Sequence, residues 1–343
     1  MSVEFLYLSQ EDVIKCGGLS MEMVIDDLEE VYRLYDKGDY LLPGKIVMKE
    51  AGENSEEITG RINAMPAYIG GRFNMSGIKW IGSYPLNPFK YGYPRASALI
   101  ILNDPETKMP LAVMDGTLIS AMRTGGVTGI CAKYMAPSKS KIVGLFGAGA
   151  QSRTQLLAIK AALPQVEKAL IYDISEERSK KFSVDMSSQL GMDVMVNNNR
   201  LEVIKTSDII VTATTATEPI VYGREIDHGC YLAHIGGNEV DEDLILAADK
   251  IVIDDWETDK HRMGDTIAYM YRDGKIGDDA IDASVSDLVC GKKSGRDNDA
   301  ELTYSCNVGL GIYDIAIAAR IYRHALSKNI GQKLLLWNNP VMV

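Results

Sequence analysis

A chain of 343 residues exceeds the usual span of one compact domain, so two domains with separate cores are the first expectation. Apolar residues at 46% and charged residues at 24% exclude a disordered or fibrous chain. A net charge of -11 without a dense Lys/Arg cluster argues against nucleic acid as a partner, and the lack of any apolar run of 18 residues argues against a membrane span. The opening "MSVEFLYLSQEDV" has no basic segment followed by an apolar one, so a cytoplasmic protein is expected. Five cysteines, an odd number with no CxxC spacing, read as reduced and buried bystanders.

The first 120 residues read as a mixed α+β region. "EFLYLS" is strand-like, and "SMEMVIDDLEEVYRLYDKGDYLLPG" repeats Met23, Ile25, Leu28, Val31, Tyr32 and Tyr35 near helical spacing before glycine and proline stop it. "KIVMKE", "RINAMPAYIG" and "MSGIKWIGSYP" are short strands, and "ASALIILNDPETKMPLAVMDG" is two apolar runs joined by an Asn/Asp/Pro turn, the pattern of an antiparallel hairpin.

From residue 140 the pattern alternates. "KIVGLF", a helix from Ala150, "KALIYDI", a helix from Ser175, "DVMVN", "DIIVTAT", "CYLAHIG", a helix near 239–248 and "KIVIDDW" follow one another, and continuous apolar strands between helices predict a doubly wound parallel sheet covered on both faces. After 257 the sequence turns polar, through "CGKKSGRDNDAE", before a helix over 309–329 that belongs to either domain.

Within "KIVGLFGAGAQSRTQLLAIK", Gly147, Gly149 and Ser152 fill the three positions of a GxGxxG/A turn between strand and helix, with Ala150 and Gln151 opening the helix. The first glycine allows the tight turn, the second lets a pyrophosphate approach the backbone, and the small third residue lets helix meet strand. Amides at the helix N-terminus favour an anion there. Asp173 ends the second strand at the spacing of a ribose-binding acid, which favours NAD; Ser175 and Arg178 follow closely and keep NADP as the alternative. "TATTAT", with Thr212 and Thr214, is either a crossing point for that cofactor or an ordinary polar loop.

Lys45, Arg61, Lys79 and Arg123 each stand in apolar context, where an unpaired cation is costly to bury and a carboxylate ligand would offset the cost. Lys79 in "SGIKWIG" is either a desolvated lysine with a lowered pKa, suited to proton transfer at an imine, or a lysine on the solvent face of its strand. Arg123 in "SAMRTGG" is either a fork for a carboxylate or a structural ion-pair partner. His234 at a strand's carboxyl end is as well explained by the core as by catalysis, and His228, His261 and His324 lack metal-ligand spacing, so no metal site is expected. GxSxG, HExxH and P-loop patterns are absent from the sequence.

Taken together, "AMP" at 64–66, "GIKW" at 77–80, "ISAMRTGGVTG" at 119–129, "GLFGAGAQSRTQ" at 144–155, "IGGNEVDEDL" at 235–244 and "VGLGIYDIAIA" at 308–318 resemble the ornithine cyclodeaminase and μ-crystallin family. The resemblance implies a substrate-binding and dimerisation domain over 1–125 and 309–343, completed by the returning C-terminal helix. A Rossmann-type NAD-binding domain over 126–308 would be inserted in it, in a homodimer whose N-terminal domains share the sheet. It implies NAD(P)-dependent chemistry on a small amino-acid-derived substrate, at the α-carbon of an amine or imine. Cyclodeaminase, amino-acid dehydrogenase and ketimine reductase are the enzymatic options, and a low-turnover binding protein is the remaining one.

By the same resemblance, Lys45 (where the cyclodeaminases carry an arginine), Arg61, Asn63, Met65 and Arg123 would hold substrate. Lys79 would be catalytic, and Thr124 and Gly236 would join the cofactor site. The cyclodeaminase glutamate before "MP" falls on Asn63 and its catalytic aspartate falls on Asn238, with Glu239 or Asp241 as possible substitutes. An amide cannot take a proton from water or an amine, which weighs against ornithine cyclisation. "GRINAMPAYIGG", "YPRASALIILND" and "IYDIAIAARIYR" look most like the branch that oxidises N-(2-amino-2-carboxyethyl)-L-glutamate to 2-oxoglutarate and 2,3-diaminopropionate. The three carboxylates of that substrate would suit Lys45, Arg61, Lys79, Arg95 and Arg123.

Overall fold

A computed structural model describes residues 2–49, 60–262 and 264–342. The chain divides into two compact units, Met1–Arg123 with Leu310–Val343, and Thr124–Gly309.

The first unit is an eight-stranded sheet. Its order runs Gln332–Trp337, Val3–Leu8, Pro110–Asp115, Ala96–Asn103, Met75–Ser83, Arg61–Ile69 and Tyr40–Leu41, with Ile46–Lys49 also on the Arg61–Ile69 strand. The strand expected to run through Glu50 is described to Lys49; Glu50 lies outside the described residues. Among the described residues, the helix Gly311–Lys328 lies on one face with Met21–Asp36 packed against it. Met21–Asp36 is capped by Ser20 and buries Val24, Ile25, Leu28, Val31 and Tyr32, each aliphatic side chain stabilising by about 1.5–3 kcal/mol. Gly311–Lys328 packs on the first helix and on the strands Arg61–Ile69 and Met75–Ser83, and ends at Asn329 in the left-handed conformation. Arg320 of this closing helix donates to Asp27 of the first, which ties the C-terminal return to the N-terminal core.

The last strand, Gln332–Trp337, was not foreseen from "QKLLLW". It pairs antiparallel with Val3–Leu8, so the end of the chain extends the sheet begun at residue 3.

In the second unit the doubly wound sheet expected from the strand-helix alternation is present. All eight strands are parallel, in the order Asp193–Val196, Lys168–Tyr172, Ile142–Phe146, Ile209–Thr212, Cys230–His234, Leu302–Cys306, Lys250–Ile253 and Ala283–Ser284. The order reverses direction between Ile142–Phe146 and Ile209–Thr212, and this switch point leaves a crevice at the carboxyl ends of the two strands.

Leu302–Cys306, inside the stretch read as polar, is a fully buried inner strand. Its Thr303 donates to the Met135 carbonyl at 2.8 Å and Ser305 shares a 2.7 Å hydrogen bond with Tyr231, so its hydroxyls are satisfied inside the core. The helix expected near 239–248 is shorter, Glu242–Leu246. Four cysteines are buried, Cys290 is half-buried, and none of the five forms a disulfide among the described residues. Among the described residues no helix is long and apolar enough to cross a membrane.

Candidate active site

In the first unit, strand alternation puts Lys79 on the helix-covered face of the sheet. Met65 stands directly opposite it, and the same alternation puts Asn63 and Arg61 on that face two and four residues along. Gly77, two residues before Lys79, has no room for a side chain. A Cβ would lie 2.5 Å from the Ile101 carbonyl oxygen and 2.8 Å from Ile315 of the closing helix. That close approach brings Asp314 of the helix to Lys79.

The Lys79 ammonium, 1% exposed, donates to Asp314 Oδ2 at 2.7 Å and to Ser120 Oγ at 3.3 Å. Arg123, one helical turn after Ser120, places Nε 3.5 Å from Asp314 Oδ1, an ion pair by distance but not a hydrogen bond. The carboxylate expected to offset these buried cations is therefore supplied by the chain itself, and Asp314 was not among the residues singled out from sequence. Its signal was a lone acid in the apolar run "VGLGIYDIAIAA".

Burial pulls the Lys79 ammonium down to about 8, the Arg123 charge adds to the fall, Asp314 opposes both, and Lys45 lowers it further. A lysine in that range exchanges a proton near neutral pH. The half-buried Lys45 is thus electrostatically coupled to Lys79. The side-chain oxygen of Asn63 is buried without a hydrogen-bond partner among the described residues, an acceptor on the face that carries Lys79. Arg61 shares the face and is exposed.

In the second unit, Gly147 turns the chain with φ +98°, and a Cβ there would lie 2.7 Å from the Ala213 carbonyl oxygen. Ser152 is fully buried and donates back to the Gly147 carbonyl, closing the turn from inside. Gly149 caps the helix Ala150–Ala162 without a side-chain bond, and open space lies where its Cβ would stand. Ala150 is exposed beside it, and Gln151 holds a buried carbonyl oxygen without a partner among the described residues. Asp173 accepts from the Ala148 amide at 2.7 Å through Oδ2, and from the Ser175 amide and Arg178 at 2.8 and 2.9 Å through Oδ1. The acid expected at the ribose also braces the glycine turn. Arg178 partly neutralises it.

Thr212 ends the neighbouring strand in register with Phe146, fully buried, its hydroxyl without a partner among the described residues. Thr214 donates its amide and its hydroxyl to Glu239 Oε1 at 2.6 and 3.0 Å, and Glu239 Oε2 lies 3.0 Å from His234 Nε2. Burial pushes the Glu239 carboxyl up, but His234 and the Thr214 bonds outweigh it and hold it below the usual carboxylate range. Glu239 thus ties together the loops after two adjacent strands. A Cβ on Gly236 would stand 2.0 Å from its carboxylate oxygens, so a side chain there would displace Glu239 from Thr214 and His234.

Asn238 lies half-buried between Gly237, whose carbonyl accepts from Thr266, and Glu239. Asp241, expected beside the chemistry, accepts from the Leu244 and Gly223 amides and caps the helix Glu242–Leu246. Thr124 is half-buried one residue beyond Arg123 on the helix Thr117–Met135.

His234, Asp265 and Cys306 bring ligand atoms within 4.8 Å of one another. Each is already engaged: the histidine nitrogens meet Tyr304 and Glu239, Cys306 donates to Asp265, and Arg262 pairs with Asp265 at 2.9 Å. An arginine on the only carboxylate of the triad opposes a cation there.

The carboxyl-end crevice fits a dinucleotide on three counts. An uncapped helix N-terminus with space above Gly149 would suit a pyrophosphate, Asp173 stands at the end of the next strand, and the buried Thr212 hydroxyl has no partner among the described residues.

Residues 6–329 match the model of the ornithine cyclodeaminase/mu-crystallin family. N-((2S)-2-amino-2-carboxyethyl)-L-glutamate dehydrogenase of Staphylococcus aureus is 34% identical, over 98% of this chain and 100% of its own. The Δ(1)-pyrroline-2-carboxylate reductase of Thermococcus litoralis, solved with NADH and L-proline, superposes with a TM-score of 0.88 at 37% identity, covering 96% of this chain and 99% of its own. An archaeal alanine dehydrogenase dimer with bound NAD superposes with a TM-score of 0.87 at 36% identity, covering 98% and 100%.

Proposed function

The chain belongs to the ornithine cyclodeaminase/mu-crystallin family and is an NAD-dependent oxidoreductase of amino-acid C–N bonds, and within that class we propose that it oxidises N-(2-amino-2-carboxyethyl)-L-glutamate. The products are 2-oxoglutarate and 2,3-diaminopropionate. The observation that carries this choice is the charge balance of the first unit. Lys79 and Arg123, both buried, share the single carboxylate of Asp314, and Lys45 adds to the positive field at Lys79. The positive charge left over beside Asp314 suits a substrate carboxylate, and the 34% identity to the N-((2S)-2-amino-2-carboxyethyl)-L-glutamate dehydrogenase over 98% of this chain supports that amine over alanine or proline.

In this reading the Arg123 fork holds the α-carboxylate of the glutamate moiety, and the buried oxygen of Asn63 accepts from the substrate amine. NAD, when bound on Gly147, Gly149 and Asp173, supplies the acceptor for the α-carbon hydride. The N–H proton passes to neutral Lys79 Nζ as the C–N single bond becomes an imine. Water then adds to the imine carbon, the C–N bond breaks, and Lys79 returns its proton to the departing amine.

Asn63 and Asn238, being amides, leave ornithine cyclisation without the carboxylates that would activate its distal amine and its water. A second reading, reduction of a cyclic imine or oxidation of alanine, draws on the pyrroline-2-carboxylate reductase and alanine dehydrogenase likenesses. A panel of the N-substituted glutamate, L-alanine, L-proline and L-ornithine, each with NAD and with NADP, separates them by absorbance of the reduced cofactor. The proposal expects NADH chiefly from the first. Faster turnover of alanine or proline would replace it with the second reading.

The homodimer is proposed to form through the sheet face opposite the closing helix. Tyr7, Ile46, Met48, Trp80 and Leu99 are exposed there, and strand alternation lines them up on one side. An exposed apolar face of this kind on a family whose alanine dehydrogenase is a dimer fits a second copy. Light scattering should give twice 37.7 kDa, and a Trp80→Glu chain should run as a monomer. A dimer unaffected by that change would move the interface elsewhere.

A further inference from the structure

We propose that Asp314 is the positioning residue that sets Lys79 and Arg123 against each other, so that one buried carboxylate fixes both the proton-transfer atom and the carboxylate anchor. The inference deepens the reading above and rests on its assignment of proton transfer to Lys79. Asp314 is fully buried in a helix whose neighbours Ile312, Tyr313, Ile315 and Ala316 are also buried, a place where a carboxylate persists only with strong partners. Its two oxygens divide the work: Oδ2 takes the Lys79 ammonium at 2.7 Å, and Oδ1 faces Arg123 Nε at 3.5 Å.

The consequence is stereochemical. Asp314 and Ser120 occupy two of the three directions at Lys79 Nζ not taken by Cε, so the remaining one is the direction along which a substrate proton travels. Asp314 approaches Arg123 at Nε, whereas the two terminal nitrogens are those that form an end-on bidentate fork for a carboxylate. Because one aspartate holds both groups, the separation between proton acceptor and carboxylate anchor is set before substrate arrives. Gly77 permits this arrangement by letting the closing helix come close to the sheet.

Among the described residues, the charged groups that act on Lys79 are Asp314 from the closing helix, Arg123 from the helix Thr117–Met135, and Lys45 ahead of the strand Ile46–Lys49. Met65 and Ile100, its cross-strand neighbours, do not titrate. Among these Asp314 alone favours the charged lysine, so its loss moves the lysine further toward the neutral form.

The test is the pH dependence of NAD reduction by the intact protein and its Asp314→Asn and Asp314→Glu variants, with folding followed by circular dichroism and NADH binding by fluorescence. For Asp314→Asn with NADH binding retained, the limb governed by Lys79 should move down by about 1–2 pH units, as loss of an adjacent opposite charge requires. A folded Asp314→Asn protein with the wild-type limb overturns the proposal. Where Asp314→Asn does not fold, Asp314→Glu decides. The displaced carboxylate should lower kcat while the limb holds, and a wild-type kcat overturns the positioning role.

Should the wild-type protein turn over none of the amines, the reaction assignment fails and the Asp314 inference is read without substrate. Titration of the 13Cε resonance of Lys79 in lysine-labelled protein, assigned through Lys79→Arg, should give a lower midpoint in Asp314→Asn. Asp314→Glu should restore it toward wild type. Equal midpoints in all three proteins contradict the proposal.

Discussion

On the proposed reading, the two units would hold a charged ligand in opposite ways. In the second, recognition would be written into the backbone: Gly147 turns where no side chain fits, Gly149 leaves a helix N-terminus uncovered, and Asp173 braces the turn through an amide. In the first, it would depend on buried side-chain charges held in register by packing, with Lys79, Arg123 and Asp314 meeting across a sheet and two helices. Backbone sites are local and tolerate little steric change. Charge clusters are long-range and titrate, so the first unit should respond to pH and the second to Cβ atoms.

The sharpest way to break this contrast is Lys79→Ala. Loss of a positioned acid-base group lowers turnover by about 10²–10⁴-fold, while NADH binding measured by fluorescence should be unchanged. An equal loss of NADH affinity would mean that the two recognition modes are not separable. Asp314→Ala comes next. It leaves a buried lysine without its counter-ion, at about 3–5 kcal/mol, and urea unfolding should show the loss.

Gly147→Ala probes the other side. A left-handed residue with a Cβ against the Ala213 carbonyl costs about 1–3 kcal/mol, and NADH binding should weaken while the Lys79 titration stays in place. Asp241→Ala is the smallest change. Losing a helix cap costs about 0.5–2 kcal/mol, visible in the melting temperature, and kcat per folded protein should be unaltered. A selective fall in kcat would return Asp241 to the chemistry.

The lysine also leaves a signature in stability. Its pKa falls from the ordinary lysine value of 10.5 in the unfolded chain to about 8 in the folded one, so between these values the unfolded state binds the extra proton. Stability should therefore rise with pH across that window and be flat in this contribution below it. In Lys79→Met the rise should vanish, which denaturant titrations at pH 7.5 and 9.5, taken roughly at the two sides of the folded pKa, can read.

What was legible in the sequence follows the same division. The glycine turn, its strand and its acid lie within one βαβ stretch, and local pattern alone locates them. Lys79 and Arg123 stood out as cations in apolar segments, but their partner is 235 residues from Lys79, on a helix whose placement over the sheet no local pattern encodes. Glu239 was weighed only as a stand-in base, because its bonds to Thr214 and His234 join three segments that become neighbours only when the parallel strands align. The inner strand Leu302–Cys306 was missed for a related reason. Thr303 and Ser305 look solvent-facing until Met135 and Tyr231 are seen to satisfy them.

The most direct test of the central claim is the stoichiometry of cofactor reduction when purified protein, NAD and N-(2-amino-2-carboxyethyl)-L-glutamate are mixed. The account predicts one NADH for each 2-oxoglutarate and 2,3-diaminopropionate released, with the rate rising through the pH range of Lys79. Inertness toward this amine, together with proline and ammonia from L-ornithine without net NADH, would contradict it.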